Sequence, residues 1–151
     1  MSRTEVLAKC ELFRELSAEQ LGVVEKMCSA QEFEAGAIIC KQGRQQDHVY
    51  VIEEGAAVIV LEVGPLAQRQ VQAASQYEVL GWSGMVDPKT CTATAKATKK
   101  IKLLAFNGQE LCSLCLDHPE IGCRICRGMA RVLGKRLRQA YVQLLGVTSQ
   151  D

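Results

Sequence analysis

Apolar positions recur at helical spacing at both ends of the chain and in short, glycine-bounded runs between them. Near the start, Val6, Leu7, Leu12, Phe13 and Leu16 predict a first helix. Ser17, with Gln20 three positions on, has the spacing of a capping box and predicts a second helix through Leu21, Val24 and Met27. Beyond Cys28 the period shortens. Seven segments follow, "FEAGAIICKQG", "HVYVIEEG", "AAVIVLEVGP", "RQVQAAS", "YEVLGW", "CTATAKA" and "KIKLLAF", punctuated by turn residues. Many short strands with glycine-rich corners predict a sandwich, barrel or jelly roll.

Helix returns at the end. Asn107 with Glu110, and Asp117 with Pro119 and Glu120, have the composition of helix starts. The final helix is expected from Pro119 to about Leu145, with Ile121, Ile125, Met129, Val132, Leu133, Leu137, Tyr141 and Leu144 on one apolar stripe. Its other face carries Arg124, Arg127, Arg131, Lys135, Arg136 and Arg138, which reads either as a solvated face or as a surface for an acidic protein partner. The layout is therefore mainly β with flanking helices: helices over 1–28, strands over 29–106 and helices over 107–145. The tail "GVTSQD" is expected to fray.

Composition narrows the function classes. The 151 residues suffice for one domain. A net charge of +1 gives the chain as a whole no pull toward DNA or an anionic membrane. No apolar run has the length of a signal core or a membrane span, so a cytoplasmic protein with its eight cysteines reduced is expected. Cys112, Cys115, Cys123 and Cys126 form two CxxC pairs, a spacing that suits zinc or an iron–sulfur cluster. The competing reading, preferred here, makes them small apolar side chains of the helix core, and a redox sensor is the third. His48 and His118 are too few for a histidine-rich metal site. No nucleophile, base and orienting group occur together, so an enzyme is not expected.

The segment "FEAGAIICKQGRQQDHVYVIEEG", with Gly36, Gly43 and Gly55 between short strands and Tyr50, Val51 and Ile52 leading into the third, resembles the cyclic nucleotide-binding domain of catabolite-activator-like regulators and kinase regulatory subunits. The resemblance extends over nearly the whole chain, as for a stand-alone bacterial member. It implies an eight-stranded jelly roll, a phosphate-binding cassette near 80–94 with a short helix, and a long C-terminal helix that dimerises. A helix-turn-helix would follow that helix in a transcription regulator; none is seen before Asp151, so DNA binding by that route is not expected.

In the family, the cassette opens with a glycine and a glutamate that holds the ribose, and closes with an arginine that neutralises the phosphate. Here Gly81 matches the glycine, Trp82 stands where the glutamate belongs, and Cys91, or Thr90 with a shorter loop, stands where the arginine belongs, followed by Thr92, Ala93 and Thr94. Each missing charged anchor contributes about 1.5–3 kcal/mol, so the usual ligand should bind roughly a hundredfold to ten-thousandfold more weakly. The resemblance makes Gly81, Trp82, Ser83, Gly84, Met85, Lys89, Thr90, Cys91 and Thr92 the ligand-binding set, with Lys89 a partial substitute for the arginine and the loop amides still available. Trp82 either occludes the pocket or stacks on an aromatic ligand. The upstream "SQYEV" replaces a proline-glycine turn with Gln76 and Tyr77. The ligand class is a cyclic nucleotide or another small anion, and Met129, Leu133, Leu137 and Leu144 are the expected dimer and signalling contacts. The alternatives are a cysteine-based metal or redox sensor on the same fold, and a ligand-free interaction scaffold.

Overall fold

The computed structural model describes residues 2–146; of the tail expected to fray, 146–151, all but Gly146 lies outside the described residues. Two helices, α1 (Arg3–Lys9) and α2 (Ala18–Glu25), precede eight strands: β1 (Ser29–Phe33), β2 (Ile38–Cys40), β3 (His48–Glu54), β4 (Ala57–Gly64), β5 (Ala67–Ala74), β6 (Val79–Leu80), β7 (Thr94–Ala97) and β8 (Ile101–Asn107). Helices α3 (Gly108–Asp117) and α4 (Pro119–Leu144) close the chain.

The strands form two antiparallel four-stranded sheets, ordered β1-β8-β3-β6 and β2-β7-β4-β5, the jelly roll expected from the resemblance. The eighth strand is β1, which begins at Ser29, upstream of the predicted segments, and reaches "FEAGAIICKQG" only at Phe33; β2 follows within that segment after the turn at Gly36.

The first sheet is covered on both faces, which explains why β3 and β8 are almost continuously apolar. On β3, Val49 and Val51 join Leu104 and Phe106 of β8 in a core shared with the helices. The alternate residues Tyr50, Ile52, Leu103 and Ala105 point the other way, into the core between the sheets. A strand buried on one face would have alternated polar and apolar residues instead.

The helix ends follow their local chemistry. Ser17 Oγ accepts from the Gln20 amide at 3.2 Å while the Gln20 side chain accepts from the Ser17 amide at 3.0 Å, completing the capping box. Asn107 Oδ1 accepts from the Glu110 amide at 3.0 Å to cap α3, and Pro119 occupies the first turn of α4. The first helix is shorter than its apolar spacing predicts. It stops at Lys9, and successive three-residue turns lay Leu12, Phe13 and Leu16 on the sheet, with the Phe13 ring 5.2 Å from that of Phe106.

The apolar stripe of α4 divides lengthwise. Ile121, Ile125, Met129 and Val132 are buried in the chain's own core, whereas Leu137, Tyr141 and Leu144 are exposed. Met129, expected at a dimer contact, is thus a core residue at 7% exposure, and Leu133 packs partly against the same core. No described helix is long and apolar enough to cross a membrane.

Candidate functional site

The cassette leaves β6 through Gly81, whose φ of 71° is left-handed, and continues as one 3₁₀ turn over Trp82–Met85. A side chain at Gly81 would put its Cβ 2.8 Å from the His48 carbonyl oxygen, so both conformation and space require glycine. The loop then passes the cis Asp87–Pro88 bond and returns to β7. The turn before β6 is made by Tyr77 at φ 72°, so a tyrosine holds the left-handed position that a glycine usually fills, with Lys9 Nζ 5.2 Å above its ring.

The 3₁₀ turn sits directly on α3. A Cβ built on Gly108 would lie 2.0 Å from the Gly84 carbonyl oxygen, and Cys112 Sγ reaches the Met85 carbonyl oxygen at 3.8 Å. Helices α3 and α4 approach as closely, since a Cβ on Gly122 would lie 2.3 Å from the Cys115 carbonyl oxygen. Cassette, α3 and α4 are therefore stacked by direct backbone contact.

Beside the cassette lies a cavity of about 760 Å³. Gly81, Trp82 and Ser83 line it from the 3₁₀ turn, and Cys91, Thr92 and Ala93 from the returning loop. Leu133, Arg136, Leu137, Ala140, Tyr141 and Leu144 of α4 form the opposite wall. The cavity persists beside Trp82, which packs partly against the helical core, so the indole is wall rather than plug.

Four of the sequence-predicted residues do not line it. Gly84 is pinned between His48 and Gly108. Met85 packs against the helical core, and Thr90 bridges to Gln45. Lys89, at φ 60°, bonds through its amide to the Val86 carbonyl and through its carbonyl to the Gln46 amide, outside the lining. It does not stand in for the missing arginine. Within the loop, Gly84 N donates to Gly81 O at 2.9 Å, Val86 N to Ser83 O at 3.2 Å, and Cys91 N to Arg44 O at 2.9 Å.

The cations of the cavity come from elsewhere in the chain. Arg136 projects from α4, donating from Nη2 to the Val79 carbonyl at 2.5 Å and from Nη1 to Gln72 Oε1 at 3.1 Å. Burial draws its pKa down while Glu78 opposes that shift. Arg69, exposed on β5 opposite Leu61, lines the rim. Among the described residues no carboxylate lines the cavity. The sequence signal for Arg136 was its place between Leu133 and Leu137, at helical spacing within the apolar stripe; reading it as part of the polar face misassigned it.

Two thiols also reach this space. Cys40 and Cys91 both line it, and Cys91 Sγ lies 3.3 Å from Gln46 Oε1. A hydrogen bond from Cys40 lowers the Cys91 pKa against the opposing effect of burial, and the same bond, with burial, raises that of Cys40. The bond to Gln46 Oε1 favours the neutral Cys91 thiol, so the two partners pull in opposite directions.

The CxxC cysteines are not gathered at one point. Cys112 and Cys115 are partly buried on α3, while Cys123 and Cys126 are exposed on α4 and are not the core filling expected of them. Among the described residues no group of three or more His, Cys, Asp or Glu is arranged to hold a metal ion. The basic face of α4 is largely engaged within the chain. Arg127 and Arg131 meet Glu15 at 3.2 and 2.5 Å, Lys135 meets Glu78 at 3.1 Å, and Arg124 donates to Gln20 at 2.8 Å. An acidic partner would have to displace these internal contacts.

A family profile described as cyclic nucleotide-binding domain matches residues 30–118, from β1 to the residue after α3. The chain belongs to that family. A cyclic nucleotide-binding domain from Methylobacillus flagellatus superposes with a TM-score of 0.83 at 17% identity, covering 96% of this chain and 82% of the other. The catabolite activator protein of Thermus thermophilus superposes with a TM-score of 0.75 at 22% identity, covering 89% and 61%. In sequence the chain is 22% identical over 147 residues to a CRP-like cAMP-activated global transcriptional regulator of Mycobacterium tuberculosis, covering 97% of this chain. It is 25% identical over 121 residues to a cyclic nucleotide-gated potassium channel of Mesorhizobium japonicum, covering 78% of this chain. It spans 64% and 31% of those two proteins. In this cyclic nucleotide-binding domain the cassette side of the cavity is lined by Trp82 and Cys91, and the lining arginines come from β5 and α4.

Proposed function

We propose that the chain is a cytoplasmic, non-enzymatic regulatory module that binds a small anionic ligand in the cassette cavity, holds the usual cyclic nucleotides weakly, and signals through α4 to a second copy of itself. The observation that carries this reading is the shared wall: Leu133, Arg136, Leu137, Ala140, Tyr141 and Leu144 of α4 face the same cavity as Trp82 and Cys91. A ligand there touches cassette and helix together, so a ligand that prefers one packing of α4 shifts the population toward it. The exposed face of Leu137, Tyr141 and Leu144 is the dimer contact in this reading.

Weak cyclic nucleotide binding follows from the carboxylate and arginine that the family resemblance calls for and this sequence lacks. Trp82 is the single tryptophan and lines the cavity, so its fluorescence reports occupancy. Titration with cyclic AMP and cyclic GMP, checked by calorimetry, should show no saturation below about 100 μM. Saturation at low micromolar concentration would refute the weak-binding reading.

A further inference from the structure

The cavity combines two properties rarely found together. Its walls are mainly apolar, with Ile59, Leu61, Val71, Leu80, Leu133 and Tyr141 among them, yet among the described residues its charged lining is two arginines and no acid. A cavity of about 760 Å³ has the size of a small-molecule site. Burying a guanidinium is costly unless its donors are used. Arg136 has five N–H donors, and the chain supplies it with two neutral acceptors, the Val79 carbonyl and Gln72 Oε1. The Arg69 side chain makes no hydrogen bond or ion pair with the described residues. The neutral polar groups in the lining, Ser83, Thr92, Gln72 and Gln143, include no ionised acceptor to fix sugar hydroxyls.

We propose that the ligand is an amphipathic monoanion, a carboxylate-like head on a hydrocarbon or aromatic body without sugar hydroxyls, with the head held by Arg136 and Arg69 and the body against Leu80, Trp82, Leu133 and Tyr141. The proposal rests on the cavity being the ligand site, as argued above, and names the ligand class. A planar guanidinium matches a carboxylate with two parallel bonds, and the apolar walls reward every methylene withdrawn from water. Ribose would forfeit much of that gain, because its hydroxyls would face side chains that offer no carboxylate.

Three probes separate the contributions. Decanoate carries both charge and apolar body, decanol has a similar body without the charge, and cyclic AMP is an anion with a sugar. On the full chain, calorimetry with Trp82 fluorescence should show decanoate binding at least about tenfold more tightly than decanol, with cyclic AMP weaker than decanoate. Arg136→Met should weaken decanoate by about tenfold to a hundredfold while changing decanol little. Should that variant fail to fold, Arg69→Gln, at an exposed position, should still weaken decanoate by up to about fivefold and leave decanol unchanged. Equal affinity for decanoate and decanol, or no effect of either arginine on decanoate, overturns the proposal. If neither decanoate nor cyclic AMP saturates below about a millimolar, the amphipathic-anion proposal fails and the weak-nucleotide reading stands. If cyclic AMP saturates at micromolar concentration and decanoate does not, both fail.

Discussion

Replacing Gly108 by alanine tests whether the cassette rests on α3. The added Cβ would meet the Gly84 carbonyl oxygen at 2.0 Å and its carbon at 2.6 Å, where ordinary contact begins at 3.4 Å, so one backbone must retreat by about 1.4 Å (3.4 − 2.0). Neither side is a flexible side chain. Gly84 is also held against the His48 carbonyl, where its own Cβ would lie at 2.9 Å, and Gly108 N donates to Asp47 O at 2.8 Å. Overpacking of this kind costs about 1–3 kcal/mol, and rigid backbone on both sides places the loss near 3 kcal/mol. For a chain of this size that lowers Tm by about 6–12 °C. Gly22→Ala is the internal control. It lies in α2 with nothing within 4 Å of its Cβ, and there alanine should stabilise by about 0.5–1 kcal/mol. Urea melts followed by circular dichroism give both values, and Trp82 emission reports the cassette. A Gly108→Ala protein within about 0.5 kcal/mol of the parent, with unchanged emission, would mean that cassette and α3 do not touch as described.

Acid should loosen α4. Burial raises the Glu78 pKa, but its bonds to Lys135 and Ser75 bring it below 4.5, and Arg131 chiefly does the same for Glu15; depressed carboxylates stabilise above 4.5 and lose that contribution as pH falls. Tm should therefore drop below pH 4.5, and Glu78→Gln should show a smaller drop between pH 7 and pH 4; an equal drop would remove Glu78 from the account. Among the buried thiols Cys10, Cys28, Cys40 and Cys91, iodoacetamide at pH 8 should label Cys91 first, because the other three have raised pKa values; peptide mapping that finds Cys40 modified earlier contradicts this order. Sedimentation at micromolar concentration should show a dimer that Leu137→Glu with Leu144→Glu converts to monomer. A monomeric parent protein would refute the α4 contact.

What was legible in the sequence was local. Capping at Ser17 and Asn107 and the proline at the start of α4 each depend on residues within a few positions, and all appear where expected. The glycine-bounded segments left a sandwich, barrel or jelly roll open, and the family resemblance supplied the jelly roll and the cassette, of which Gly81 to Ser83 and Cys91 to Ala93 line the cavity. The opposite wall was not legible. Arg69 and Arg136 are 67 positions apart (136 − 69) and line one cavity only because α4 packs on β5. Whether an arginine on a helix faces water or a cavity depends on what that helix is laid against. Cys123 and Cys126 show the same limit: both are exposed on α4, and which side of that helix is covered depends on elements distant in sequence.

The two sheets differ in how deeply they are enclosed, and this sets the order in which the protein should open. In the first sheet Val49, Val51, Ile52, Ile101, Leu103, Leu104 and Phe106 have no solvent exposure, whereas β5, in the second, is exposed over its first four residues. Amide hydrogens of the paired β3 and β8 should exchange with deuterium only on global unfolding, and those of β5 through much smaller fluctuations. Because the cavity has Val79 and Leu80 on the protected side and Ile59, Leu61, Arg69 and Val71 on the other, it lies at the seam between a stiff half and a yielding one. A ligand that fills the seam should slow exchange in the yielding half and leave β3 and β8 unchanged, locating the conformational response by isotope alone.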